Sequence, residues 1–152
     1  MDRNFRTATL VSEFHNTFGH PAPTSINMQD EKTRILRVSL IAEELLELCE
    51  GLGLVLTIAT GEDSSSSVNI KQNPNRAEVD IIEVADALAD LDYVVAGANV
   101  AFGFPSEEII NEVHASNMSK LGEDGKPIYR EDGKILKGPS YFKPDIGKIL
   151  GL

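Results

Sequence analysis

Residues 30–53 read DEKTRILRVSLIAEELLELCEGLG, and this stretch decides the fold. Val38, Ile41, Ala42, Leu45, Leu48, Cys49 and Leu52 recur at helical intervals, so they share one broad apolar face of a helix. Asp30 is a fitting N-cap, because its carboxylate can accept the free N–H groups of the first turn. Gly51 to Gly53 end the run. The other side carries Glu43, Glu44, Glu47 and Glu50, with Leu36 and Leu40 among them. An acidic stripe interrupted by leucines, with no Lys or Arg one turn on, is a poor candidate for plain solvated surface.

A second acidic stripe follows in EVADALADLDYVVAG at 83–97, where Glu83, Asp86 and Asp90 line one side together with Tyr93 and Gly97. Ile81, Val84, Leu88, Leu91, Val95 and Phe102 form the core face of the same helix, predicted over about 76–102. Two shorter helices are predicted, one over about 5–18 and one over about 106–119. The segment VLTIATGEDSSSSVNIKQNPN at 55–75 reads as a helix extension or apolar connector. It is followed by a mobile loop around Ser64–Ser67 and Asn73-Pro74-Asn75. From Gly122 the periodicity fails. Glu-Asp-Gly-Lys recurs at 123–126 and 131–134 as two turns, which predicts an ordered but irregular tail with a small hairpin. The expectation is a single all-α domain over residues 1–152, a helical bundle with its body at about 5–119 and its tail at about 120–152.

With 152 residues, 41% of them hydrophobic, the chain can build a core without disulfides. Its single Cys49 sits among leucines and is expected to be a buried thiol, in keeping with a reducing, cytoplasmic setting. No stretch reads as a secretory or membrane segment. A net charge of −10 argues against nucleic acid and anionic membranes as partners. The charge is uneven, however. Residues 120–152 hold seven of the fourteen Lys/Arg and only five of the twenty-four Asp/Glu. An acidic helical body joined to a basic tail could hold a cation on the first and anionic phosphates against the second.

Carboxylates crowded on facing stripes repel one another unless a hard cation such as Mg²⁺ sits between them. Glu44 and Glu47 stand one turn apart, as do Asp86 and Asp90, so each pair can reach an ion beside its helix. Glu83 extends the second set. Glu43, next to the ligands but uncommitted, is the candidate to orient and deprotonate water. Lys120 and Asn117, one turn apart at the end of the fourth predicted helix, suit a phosphate and a sugar or base. Phe14, His15, Phe18 and Tyr93 could wall a base, with Gly97 leaving room for it. Lys137 and Tyr141 could close over the phosphates. No P-loop is present, since no Gly-Lys pair stands in the required strand–loop–helix pattern.

AEELLEL at 42–48 and EVADALADLDYVVAG at 83–97 resemble the paired acidic motifs of the MazG-like, all-α NTP pyrophosphohydrolase superfamily. EFHNTFGHP at 13–21 and EVHASNMSKLGEDGKPIYREDGKILKGPSYFKPDI at 112–146 resemble its phosphoribosyl-ATP pyrophosphohydrolase-like branch, which includes MazG-like dUTPases. The family's Glu-x-x-Glu falls on Glu44 and Glu47. When Asp90 and Tyr93 are set against its Asp and following aromatic, Ala87 stands where a glutamate is usual, and Asp86 precedes it. The resemblance implies metal held by Glu44, Glu47, Asp86 and Asp90, with Glu43 as the water-activating residue. It places His114, Asn117 and Lys120 in a substrate-facing segment. The expected activity is Mg²⁺-dependent (Mn²⁺ as a substitute) cleavage of a (deoxy)nucleoside triphosphate to monophosphate and pyrophosphate, in a homodimer or homotetramer. Phosphoribosyl-ATP as substrate, a nucleotide-binding regulator without turnover, and a helical oligomerisation module are the alternatives.

Overall fold

The computed structural model describes residues 3–61, 66–76 and 78–152, with the backbone alone at residues 3–5. Two compact units emerge, Met1–Gly103 and Phe104–Leu152. The boundary lies at the end of the third long helix, ahead of the body–tail junction expected near residue 120.

In the first unit, α1 spans Arg3–Phe18, α2 Glu31–Gly51 and α3 Ile81–Phe102. Helix α3 packs against both α1 and α2. Asp30 caps α2, its carboxylate accepting from Thr33 N at 2.8 Å. Asp80 caps α3 in the same way, accepting from Ile82 N and Glu83 N. Sequence had marked only the first of these caps, and α3 accordingly begins five residues later than expected. The helix ends at Gly103, whose φ of 67° is left-handed. A Cβ there would lie 2.3 Å from Ser25 O, so the position demands glycine twice over.

The connector between α2 and α3 corrects the all-α expectation. Leu54–Thr60 (β1) and Ser66–Gln72 (β2) form an antiparallel hairpin in the register Leu54↔Gln72 to Thr60↔Ser66. Strands alternate their side chains between faces. Leu56 and Ile70 therefore pair on one face with Ile58 and Val68, and Thr57 and Asn69 on the other. That period of two outweighed helix extension. Of the expected mobile loop, residues 64–65 lie outside the described residues; Ser66 and Ser67 belong to β2, and Pro74–Asn75 form a turn.

The core of this unit is small. Val11, Cys49, Ala87 and Ala101 are buried, and Cys49 is the free, enclosed thiol expected. Much of the face assigned to the core is open: Val38 is 68% exposed and Ile81 78%, and Leu45, Leu88 and Val95 are also exposed.

In the second unit, α4 spans Ser106–Met118 and a short α5 Ile146–Leu150, the latter unanticipated. The intervening tail is ordered by side chains of α4. Ser116 Oγ donates to Phe142 O at 2.8 Å, and Glu112 Oε1 accepts from Asp145 N at 2.9 Å. Leu136 N donates to Ile128 O, and Tyr129 pairs with Ile135, which forms the small hairpin expected. Among the described residues, no helix is long and apolar enough to cross a membrane.

Candidate active site

Helices α2 and α3 carry the two acidic stripes, and the Glu44 carboxyl is where they meet electrostatically. Its Oε2 is buried without a hydrogen-bond partner among the described residues. Its pKa is raised, first by burial and then by the charges of Glu47, Asp90, Glu43 and Asp86. Burial and like charges both disfavour the ionised form of this carboxyl. Such a donor set of oxygens fits a hard divalent ion. As the side chains stand, however, no three Asp, Glu, His or Cys among the described residues are close enough to enclose a metal. The shell foreseen is thus an electrostatic cluster, with its carboxylates held apart.

Glu83 is engaged elsewhere. Arg76 bridges Glu83 and Glu50, with Asp80 at 3.9 Å completing the group. The Arg76 guanidinium is held above its ordinary range, chiefly by the hydrogen bond to Glu83. Ala87, in the position where a ligand glutamate would be usual, is 2% exposed and part of the core.

Two turns along the helices from Glu44 lies a second polar layer. Arg37 is 5% exposed and His15 2%. His15 Nδ1 donates to Pro21 O at 2.7 Å, which leaves Nε2 to accept from Arg37 Nη1 at 3.4 Å. Both neighbours thus favour the neutral imidazole with its proton on Nδ1. The pKa of His15 is lowered, mainly by burial, with Arg37 and His20 adding to the shift against the opposing bond to Pro21. Burial also lowers that of Arg37, whose Nε and Nη2 have no partner among the described residues. Gly97 makes this packing feasible, since a Cβ there would stand 3.4 Å from both Arg37 Nη1 and His15 Nε2. The room that Gly97 was expected to leave for a ligand is taken by these two side chains.

Aromatic rings border the layer. Phe14 meets Tyr93 edge-on at 5.9 Å, stacks on His20 at 5.9 Å and lies 4.4 Å from Phe18. Phe14 thus joins Phe18 and Tyr93 in one aromatic group. His15 is a buried donor and acceptor rather than part of a stacking wall. Arg37 and His20 escaped the sequence reading. Arg37 shares the Glu44 stripe seven residues away, and a cation on an otherwise acidic and apolar stripe was the available signal.

In the second unit, Lys120 Nζ donates to Asn117 Oδ1 at 2.7 Å, so these two occupy each other. His114 is exposed. Lys137 Nζ lies 4.3 Å over the Tyr141 ring, a cation–π contact that pairs the two tail residues.

Comparison with known proteins adds the family. Residues 11–117 match the phosphoribosyl-ATP pyrophosphohydrolase family. The chain belongs to this family of pyrophosphohydrolases, in agreement with the expected MazG-like superfamily. It is 30% identical over 131 residues to the uncharacterized protein L479 of Acanthamoeba polyphaga mimivirus. That alignment covers 84% of this chain and 40% of the viral protein, so the chain spans less than half of that relative's length. A solved structure of a candidate NTP pyrophosphohydrolase from Exiguobacterium sp. 255-15 aligns with 99% of this chain and 93% of its own. Its TM-score is 0.45 at 21% identity.

Proposed function

We propose that the chain is a Mg²⁺-dependent nucleoside triphosphate pyrophosphohydrolase of the cytoplasm. It would cleave a (deoxy)nucleotide between its α and β phosphates and so clear unwanted nucleotides from the pool. One observation carries the reading: the Glu44 carboxyl, partly buried and unpaired, under the combined charge of Glu47, Asp90, Glu43 and Asp86. A divalent cation would relieve the repulsion within such a cluster, and its oxygen donors suit a hard ion.

Glu44, Glu47, Asp86 and Asp90 would hold Mg²⁺, or Mn²⁺ in its place. When bound, the ion neutralises charge on phosphate oxygens and makes the phosphorus a better electrophile. Glu43, exposed at the edge of the cluster, orients a water molecule and takes its proton as the oxygen attacks the α phosphorus. The P–O bond to the β phosphate breaks, and pyrophosphate leaves with the electron pair. The phosphate-binding role that sequence suggests for Lys120 and Lys137 belongs to the same proposal; in the second unit these side chains contact Asn117 and Tyr141.

The family match favours a second reading, phosphoribosyl-ATP as the substrate, with the same bond cleaved. Incubation with each dNTP, each NTP and phosphoribosyl-ATP, with Mg²⁺ or EDTA, separates the two by product analysis. Mg²⁺-dependent pyrophosphate from a nucleoside triphosphate is expected, with turnover lost in Glu44→Gln while the circular dichroism spectrum is kept. No pyrophosphate from any substrate would sink the enzymatic reading.

A further inference from the structure

We infer that Arg37 is a specificity-determining residue that reads a carbonyl oxygen of the substrate's base through its free Nε/Nη2 edge. This inference rests on the nucleotide chemistry proposed above.

A guanidinium presents its N–H groups in a rigid fork, and Nε–H and one Nη2–H point the same way along one edge. Here Nη1 is engaged by His15, while the Nε/Nη2 edge is buried and unpartnered among the described residues. Among the described residues no ion pair involves Arg37, and burial lowers its pKa. An uncompensated buried cation is costly, and a fold gains nothing from keeping one for packing alone. An acceptor supplied from outside removes that cost.

The position of the residue says which acceptor. Arg37 and Glu44 are seven residues apart on one stripe of α2, a rise of about 10.5 Å. That is the reach of a nucleotide from its phosphorus to the far edge of its base. A phosphate held at the Glu44 cluster therefore brings a base to the Arg37 layer, beside the rings of Phe14 and Tyr93. Phe14, itself partly exposed, meets Tyr93 edge-on at 5.9 Å there. A base carbonyl has two lone pairs and can accept from both N–H groups at once. The 6-amino group of adenine is itself a donor and sets N–H against N–H. His15 fixes the fork by holding Nη1 and is in turn fixed by Pro21. Cytosine carries an amino group at the same outer edge and is opposed in the same way, so the resulting preference is for uracil and guanine over adenine and cytosine.

Calorimetric binding of dUMP, dCMP, dGMP and dAMP tests this without relying on turnover. The native chain should bind dUMP and dGMP more tightly than dAMP and dCMP. In Arg37→Met the Kd values of dUMP and dGMP should rise by about 10- to 100-fold, the worth of a charged hydrogen bond, with a smaller change for dAMP and dCMP. Arg37→Lys, which keeps the charge but loses the fork, should lose the same selectivity. The ligand-free Met variant should melt no lower than the native chain, because a buried cation without a partner has been removed. Unchanged selectivity in both variants would overturn the inference, as would an absence of binding by the native chain. Collapse of the fold in both would make Arg37 a structural pin and overturn it too. An active enzyme with unaltered base preference in the variants would leave the pyrophosphohydrolase reading standing and remove only this one. Conversely, selective nucleotide binding by a chain without turnover would retain Arg37 and remove the enzyme.

Discussion

Glu44 and His15 both have shifted pKa values, and the shifts drive stability in opposite directions. His15 is held neutral, so its folded pKa lies below the ordinary value of 6.5. The unfolded chain then takes up the proton first. Stability is complete above pH 6.5 and falls as the pH drops from there towards the folded pKa. Thermal melts from pH 8 to pH 5 should show this loss, and His15→Gln should flatten that limb of the profile. Glu44 behaves in reverse, because its folded pKa is raised above 4.5. Protonated Glu44 is favoured by the fold, so stability is lost as the pH rises from 4.5 through the folded pKa. Glu44→Gln should therefore raise the metal-free melting temperature at pH 7.5. Millimolar Mg²⁺ is expected to raise the melting temperature of the native chain further, since an ion bound only by the folded state stabilises it by mass action, and Glu44→Gln should abolish that rise.

At the scale of elements, the helices were readable because their caps and periodicity agree: Asp30 opens α2, apolar residues repeat along it, and glycines close it. The hairpin was not, for a physical reason. LVLTIAT is short and apolar, and such a run satisfies a buried helix turn and a strand equally well. Its partner SSVNIKQ is too polar to signal a core, although Val68 and Ile70 continue the alternation of Leu54, Leu56 and Ile58. The candidate site divided along the same line. Residues on one stripe could be grouped from sequence, whereas the Arg37–His15 pair joins two helices 22 residues apart and depends on Gly97 of a third. The end of that third helix supports a sharp prediction. Gly103→Ala must adopt a left-handed φ and also collide with Ser25 O. The conformational penalty alone is about 1–2 kcal/mol, and the clash adds to it. Urea unfolding should show a lower midpoint with an unchanged m-value. Gly125→Ala, left-handed but with open space around its Cβ, should suffer only the first of these penalties.

For the whole molecule, the apolar faces of α2 and α3 make the strongest demand. Val38, Ile81 and Ile82 are 68%, 78% and 83% exposed, and Ile35 and Leu88 are also open. They stand on helices whose buried residues are few, so the side chains that should supply hydrophobic stabilisation are largely unused. Burying each one contributes about 1.5–3 kcal/mol. A second copy of the chain offers the same face and can cover several at once, enough to offset the loss of freedom on association. Static light scattering at tens of micromolar should therefore give the mass of a dimer or tetramer, and the melting temperature should rise with concentration. A charge placed in that face must be desolvated on association, so Val38→Glu together with Leu88→Glu should yield monomers that melt lower and independently of concentration. A native chain that scatters as a monomer, with a melting temperature indifferent to dilution, would contradict self-association through these helices. The open leucines and isoleucines would then belong to a different partner surface.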